Sequence, residues 1–229
     1  MDGINFIPDQ PYNPLDKRNL GLSIENALLL RPPQPLRPTS SQFVGAGIYA
    51  IYYTGDFPAY QWIAQKNSQN KFEQPIYVGK AVPKGARIGA SMELAAGPVL
   101  FNRMSEHAAS IEQVENLRLD DFCCRYLIVD DIFIPLGETL LISTFNPIWN
   151  YPLGGFGNHD PGAGRYNQKC SLWDVVHPGR SWVKKLKPNG RTPEEVLAHL
   201  AEFLHKRSGI TYPVETPPAL KAGKSKGKK

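Results

Sequence analysis

An α+β domain, a small sheet flanked by helices, is what this sequence predicts, and three observations carry the expectation. Three short runs rich in β-branched and aromatic residues, GIYAIYYTG (47–55), PIYVGKA (75–81) and DFCCRYLIV (121–129), read as strands bounded by Gly, Pro or Asp. Between and after them lie segments whose apolar residues recur near the 3.6-residue helical period. A chain of 229 residues suits one domain with embellishments and is long enough to bury a sizeable core.

Residues 1–40 are rich in Pro and Asn and read as an N-terminal arm. One short helix is expected there, Ser23 to Leu30, stopped by the prolines of RPPQPLRP. The arm would lie on the domain, on a second subunit or on DNA. The core is expected over 41–152. In its first strand, alternation puts Tyr49, Ile51 and Tyr53 on one face and Ile48, Ala50 and Tyr52 on the other. An insertion at 54–74, with a short amphipathic piece from Tyr60 to Ala64, joins the first two strands and could form a DNA-contacting flap. Ala81 to Pro98 reads as a long loop, with Arg87 a candidate phosphate contact.

A helix starts at Val99, its apolar stripe formed by Val99, Leu100, Met104, Ala108 and Ile111. Arg103 and His107, four apart, project from one side as neighbours. After the third strand, Pro135 opens another helix at a position proline favours, with Glu138 in its first turn as the one acidic side chain of a largely apolar segment. Asn150, just beyond it, offers both an amide donor and a carbonyl acceptor.

Residues 153–208 form the next section. A glycine-dense loop, 154–164, holds Asn158 and His159, and its glycines let backbone approach a ligand closely. A helix then starts with Thr192 as N-cap, Pro193 at N1 and Glu195 completing a capping box. His199 and His205 read as surface residues of that helix. The 209–229 tail has the composition of disorder.

The formal charge of +5 is carried by Lys221, Lys224, Lys226, Lys228 and Lys229; the 21 remaining basic residues balance 21 acidic ones. Distribution matters more. From Asp160 to Arg191 stand Arg165, Lys169, Arg180, Lys184, Lys185, Lys187 and Arg191 against only Asp160 and Asp174, a stretch able to face phosphate. Cys123, Cys124 and Cys170 show no CxxC spacing, so neither a zinc cluster nor a disulfide framework is indicated. No apolar run reaches the roughly 18 residues of a membrane span, and a cytoplasmic, prokaryotic location is expected.

On Gly47-Ile48-Tyr49, Ile76-Tyr77-Val78-Gly79, the following Lys80 and Ala81, and then Arg103, His107, Glu138 and Asn150 in that order, the chain resembles the GIY-YIG nuclease superfamily. Valine replaces the second isoleucine of the signature. The resemblance spans about 43–180 and implies a central, mainly antiparallel sheet. The GFGNHDPGAGR and WDVVHPGR segments look most like its Type II restriction endonucleases, which implies double-stranded DNA as substrate, a palindrome such as CCGCGG, a homodimer, and a cognate DNA methyltransferase as functional partner.

Phosphodiester hydrolysis needs an activated water, a sink for charge at phosphorus and help for the departing 3′ oxygen. The resemblance implies Tyr49, Tyr77, Lys80, Arg103, His107, Glu138 and Asn150 as the catalytic set. Glu138 would hold a single Mg²⁺ completed by water and phosphate oxygens. Arg103 and Tyr77 would donate to the phosphate, and Asn150 would orient phosphate or a metal-bound water. Tyr49, with an ordinary pKa of about 10, needs a cation or acceptor nearby to act as a base; Lys80 and His107 are the candidates. DNA contacts are expected from Arg87, Asn158, His159, Arg165, Lys169, Arg180, Lys184 and Lys185, with Arg165 and Arg180 at guanine edges. The competing readings are a repair or structure-specific nuclease and a DNA-binding protein without catalysis.

Overall fold

The computed structural model describes residues 13–38, 41–83 and 97–209. Arg87 and the lysine-rich tail lie outside the described residues. In chain order the elements are α1 (Lys17–Leu29), β1 (Gln34–Pro35), β2 (Gly47–Tyr53), α2 (Gln61–Asn67), β3 (Tyr77–Ala81), α3 (Val99–Glu112), β4 (Phe122–Ile128), α4 (Ile134–Phe145), α5 (Leu172–Val176) and α6 (Pro193–Ser208). The α+β expectation holds. The four strands form one sheet in the order β1-β4-β2-β3, every neighbouring pair antiparallel.

Strand β2 is central because both its faces are apolar. Tyr49, Ile51 and Tyr53 enter one core with Leu100, Met104, Ala108 and Ile111 of α3 and Val196, Leu197 and Leu200 of α6. Ile48, Ala50 and Tyr52 enter a second core with Leu28 of α1 and Ile134 and Leu141 of α4. The alternation read from sequence is therefore the division between two helical layers.

Three boundaries differ from expectation. Helix α1 begins six residues early because Asp16 accepts a hydrogen bond from the Arg18 amide and caps it. It then runs through Gly21, where a Cβ would stand 1.6 Å from Leu140 Cδ1; the glycine that interrupts the apolar pattern is the point where α1 crosses α4. Together with β1, which pairs with β4, this places residues 17–36 of the arm on the domain itself. Helix α4 begins at Ile134 after a 3₁₀ turn, so Glu138 lies beyond its first turn.

The third difference is the 54–74 insertion, which is not a flap. Phe57, Ala59, Tyr60 and Ile63 are buried in the core, and the Asn67 side chain ties the segment shut through Tyr53 O, Gln74 O and the Gln74 amide. Burial of four apolar groups outweighs the polar KNSQNK run in deciding where the segment lies. Helix α6 carries the expected capping box on Thr192 and Glu195.

Candidate active site

Tyr49 projects from the middle of β2 over Gly79, its partner on β3. A Cβ at Gly79 would fall 2.4 Å from Tyr49 Oη, so only glycine leaves room for the ring. Tyr77 lies two residues back on the same face of β3, its ring centroid 6.2 Å from that of Tyr49. From α3, His107 reaches this face with Nε2 2.6 Å from Tyr49 Oη. Arg103, one turn earlier, places its guanidinium within electrostatic and hydrogen-bonding reach of both phenols. Four side chains from three elements thus meet on the face of the sheet that α3 covers.

Burial decides their protonation. Tyr49 is 0% and His107 2% exposed. Loss of water raises the Tyr49 pKa well above its usual value, with the Tyr77 phenol adding to the rise and Arg103 opposing it. Desolvation also holds the His107 pKa well below 6.5, and the positive charge of Arg103 pushes the same way. Between a neutral imidazole and a protonated phenol the tautomer sets the direction of the bond, and the form that can take a proton from the phenol carries its own on Nδ1. In that tautomer Tyr49 Oη donates and His107 Nε2 accepts.

Lys80 is on the other face of β3, opposite Ile48, where its Nζ lies 2.6 Å from Glu138 Oε2 on α4. The cation beside Tyr49 is therefore Arg103 and not Lys80, because a side chain adjacent in sequence to the glycine under Tyr49 must point away from that face. Glu138 acts electrostatically on Tyr77 around the strand edge. Its side chain is 20% exposed, open enough for hydrated ligands. Among the described residues no group of three or more His, Cys, Asp or Glu could hold a metal. A lone carboxylate still fits Mg²⁺, which keeps several waters and takes the rest of its shell from phosphate.

Asn150 has a different place from the one expected. Its Oδ1 accepts from the Val78 amide and its Nδ2 donates to the Val78 carbonyl, both at 2.8 Å. The side chain stands in for a neighbouring strand on the free edge of β3, so it fixes Tyr77 and Lys80 and has its carboxamide engaged by backbone.

The glycine loop lies directly against the site. Gly157 O accepts from Arg103 Nη2 at 2.9 Å, His159 contacts Arg103 Nη1, and Phe156 stacks on His107 with centroids 4.6 Å apart and 18° between planes. The sequence gives no sign of the parts that Gly157 and Phe156 play, because backbone carbonyls and apolar rings have no motif to betray them. Asn158, Arg165, Lys169, Lys184 and Lys185 are exposed on the following segment, where Lys185 pairs with Asp160 at 3.2 Å.

Arg180 corrects the expectation of a guanine contact. It is 1% exposed, ion-paired to Asp174 at 2.6 Å, and lies 4.7 Å from the centroids of both Trp173 and Trp182. Its N–H groups are spent inside the protein. Asp174, the acid that interrupts the basic stretch, is buried with it and also accepts from Ser171 Oγ at 2.6 Å.

Residues 41–204 match the family described as the Eco29kI GIY-YIG domain, which takes in every described element of the site. No curated relative matches the chain. No helix among the described residues is long and apolar enough to cross a membrane.

Proposed function

The chain belongs to the Eco29kI GIY-YIG family of restriction endonuclease domains, and from that premise we propose that it is a Type II enzyme cutting double-stranded DNA at a short palindrome. The observation that carries the reading is the buried hydrogen bond from Tyr49 to His107, with Arg103 beside it. A water against Tyr49 gives its proton to Oη as the phenol's own proton passes to His107 Nε2, and the resulting hydroxide attacks phosphorus. Tyr49 thereby conducts a proton without becoming a standing phenolate, which its raised pKa forbids. Arg103 and Tyr77 donate to the phosphate oxygens as charge accumulates, and the 3′ oxygen leaves and takes a proton from solvent. The products are a 5′-phosphate and a 3′-hydroxyl.

Glu138 would hold one Mg²⁺, which when bound supplies positive charge at the phosphate. Lys80, its Nζ 2.6 Å from Glu138 Oε2, holds that carboxylate beside β3. Arg165, Lys169, Lys184 and Lys185 face the DNA backbone, with Asn158 and His159 at the rim of the site. A two-fold site such as CCGCGG calls for two copies of the reading surface, hence a homodimer, and for a methyltransferase that protects host DNA.

Digestion of plasmid DNA with Mg²⁺, followed by mapping of the ends, tests the reading. Discrete fragments with 5′-phosphates support it. Cutting confined to branched DNA would transfer the chain to a repair role, and binding without cutting would remove catalysis altogether.

A further inference from the structure

The loop 155–158 presents four successive carbonyls, and they divide between two arginines. Those of Gly155, Phe156 and Asn158 accept from Arg180, each at 3.1 Å, whereas that of Gly157 accepts from Arg103. Arg180 Nε donates to Asp174 Oδ1 at 2.7 Å, and Nη2 lies 2.6 Å from the same oxygen as an ion pair. The guanidinium thus makes four hydrogen bonds, and its Nη2 also ion-pairs with that carboxylate. Its plane is flanked by Trp173 and Trp182. A guanidinium held this way has no freedom to reach DNA, yet every bond it makes to the loop constrains a segment touching Arg103 or His107.

Resting on the nuclease reading, we infer that the buried Arg180–Asp174 pair is a positioning device for the cleavage centre. It fixes the glycine loop so that Gly157 O orients the Arg103 guanidinium toward the two phenols and Phe156 seals His107 from water. Arg180 touches no reacting atom. Its effect passes through the loop, so its removal should appear in the rate of the chemical step and not in DNA affinity. A planar fork is required, because an ammonium cannot reach three carbonyls and a carboxylate in one plane. Arg180→Lys therefore tests the geometry and not only the charge.

The experiment compares wild type, Arg180→Lys and Ser171→Ala. Single-turnover cleavage is followed at saturating plasmid with Mg²⁺, DNA affinity is measured in Ca²⁺, and amide exchange is followed over the loop. Arg180→Lys is expected to cleave about 30-fold or more slowly, the scale on which small misplacements of a catalytic group register. Its DNA affinity should stay within about threefold, a change too small for a lost base contact. Exchange at 155–159 should accelerate together with the loss of rate.

Ser171→Ala removes the two bonds between Ser171 Oγ and Asp174, one to Oδ2 and one from the amide that caps α5, and keeps the arginine, so it decides the matter if Arg180→Lys does not fold; a loss of roughly threefold to tenfold in rate with unchanged affinity is then expected. A wild-type rate in both variants, or a loss appearing in affinity at constant rate, overturns the inference. Should the wild type itself not cleave, the nuclease reading fails separately. The inference is then decided by the Arg103 Nε–H NMR signal, which shifts in Arg180→Lys if the loop orients that side chain and stays fixed if it does not.

Discussion

The molecule contains the same hydrogen bond twice. Tyr49 Oη lies 2.6 Å from His107 Nε2, and Tyr60 Oη lies 2.6 Å from His177 Nε2; both pairs are buried. Around Tyr60 and His177 every partner is a neutral group of the fold. Trp149 Nε1 donates to Tyr60 Oη, and His177 Nδ1 meets Asn116 Oδ1, while Asn116 Nδ2 donates to Val176 O. That network has nowhere to receive a proton from and nothing to stabilise, so it is packing. Around Tyr49 and His107 stand Arg103 and Tyr77, with Glu138 around the strand edge. A tyrosine bonded to a histidine is thus not by itself a reactive device; a guanidinium acting on the phenol itself and an approach for phosphate make it one. Arg180 lies near both imidazoles, and its charge helps to hold each of them neutral.

The sharpest way to break this contrast is to remove the charge that only one pair has. Arg103→Ala is expected to lower single-turnover cleavage by about 10³-fold, as when a transition-state donor is deleted, with DNA affinity little changed. Retained cleavage would leave the two pairs chemically equivalent. Next in size comes the exchange of roles between the histidines. His107→Gln should cost about 10²-fold in rate, the range of general acid–base groups, whereas His177→Gln should leave the rate per folded molecule unchanged and lower the melting temperature.

Smaller still is Tyr60→Phe. It leaves the buried Trp149 Nε1 without its acceptor, and chemical denaturation should show a loss of about 1–3 kcal/mol with cleavage intact. The smallest change per step is the pH dependence. In the unfolded chain His177 binds a proton near pH 6.5, while burial, aided by Arg180, holds it at about 3 in the fold. Between those values the unfolded state carries the extra proton. Stability is therefore present above pH 6.5 and declines by about 1.4 kcal/mol per unit as pH falls toward 3. A His177→Gln protein should show a flatter curve in that window. Because His107 is lowered too, the acid limb of the cleavage rate should lie well below 6.5.

Much of the site was legible beforehand because it rests on local rules. Strand alternation put Tyr49 and Ile51 on one face, and an i, i+4 spacing brought Arg103 beside His107. What was not legible depends on tertiary contact. Of the two candidates for a group beside Tyr49, Lys80 and His107, the strand turns Lys80 to the opposite face and to Glu138. Asn150 looked like a phosphate or water ligand, and its place against Val78 follows only once β3 is known to be an edge strand. Arg180 reads from sequence as one more DNA contact of the basic stretch because charge alone says nothing about burial. Asp174, six residues before it and one of two acids in that stretch, was the available sign that one arginine would turn inward.

The claim at the centre is that Tyr49 and His107 act as a single proton path. It is tested most directly by a double-mutant cycle of Tyr49→Phe and His107→Gln, read by single-turnover cleavage in Mg²⁺. Residues of one unit are non-additive, so the double variant is expected to cleave no more slowly than the worse single one. A double variant whose loss is the product of the two single losses would mean that the groups work independently, and would contradict the account.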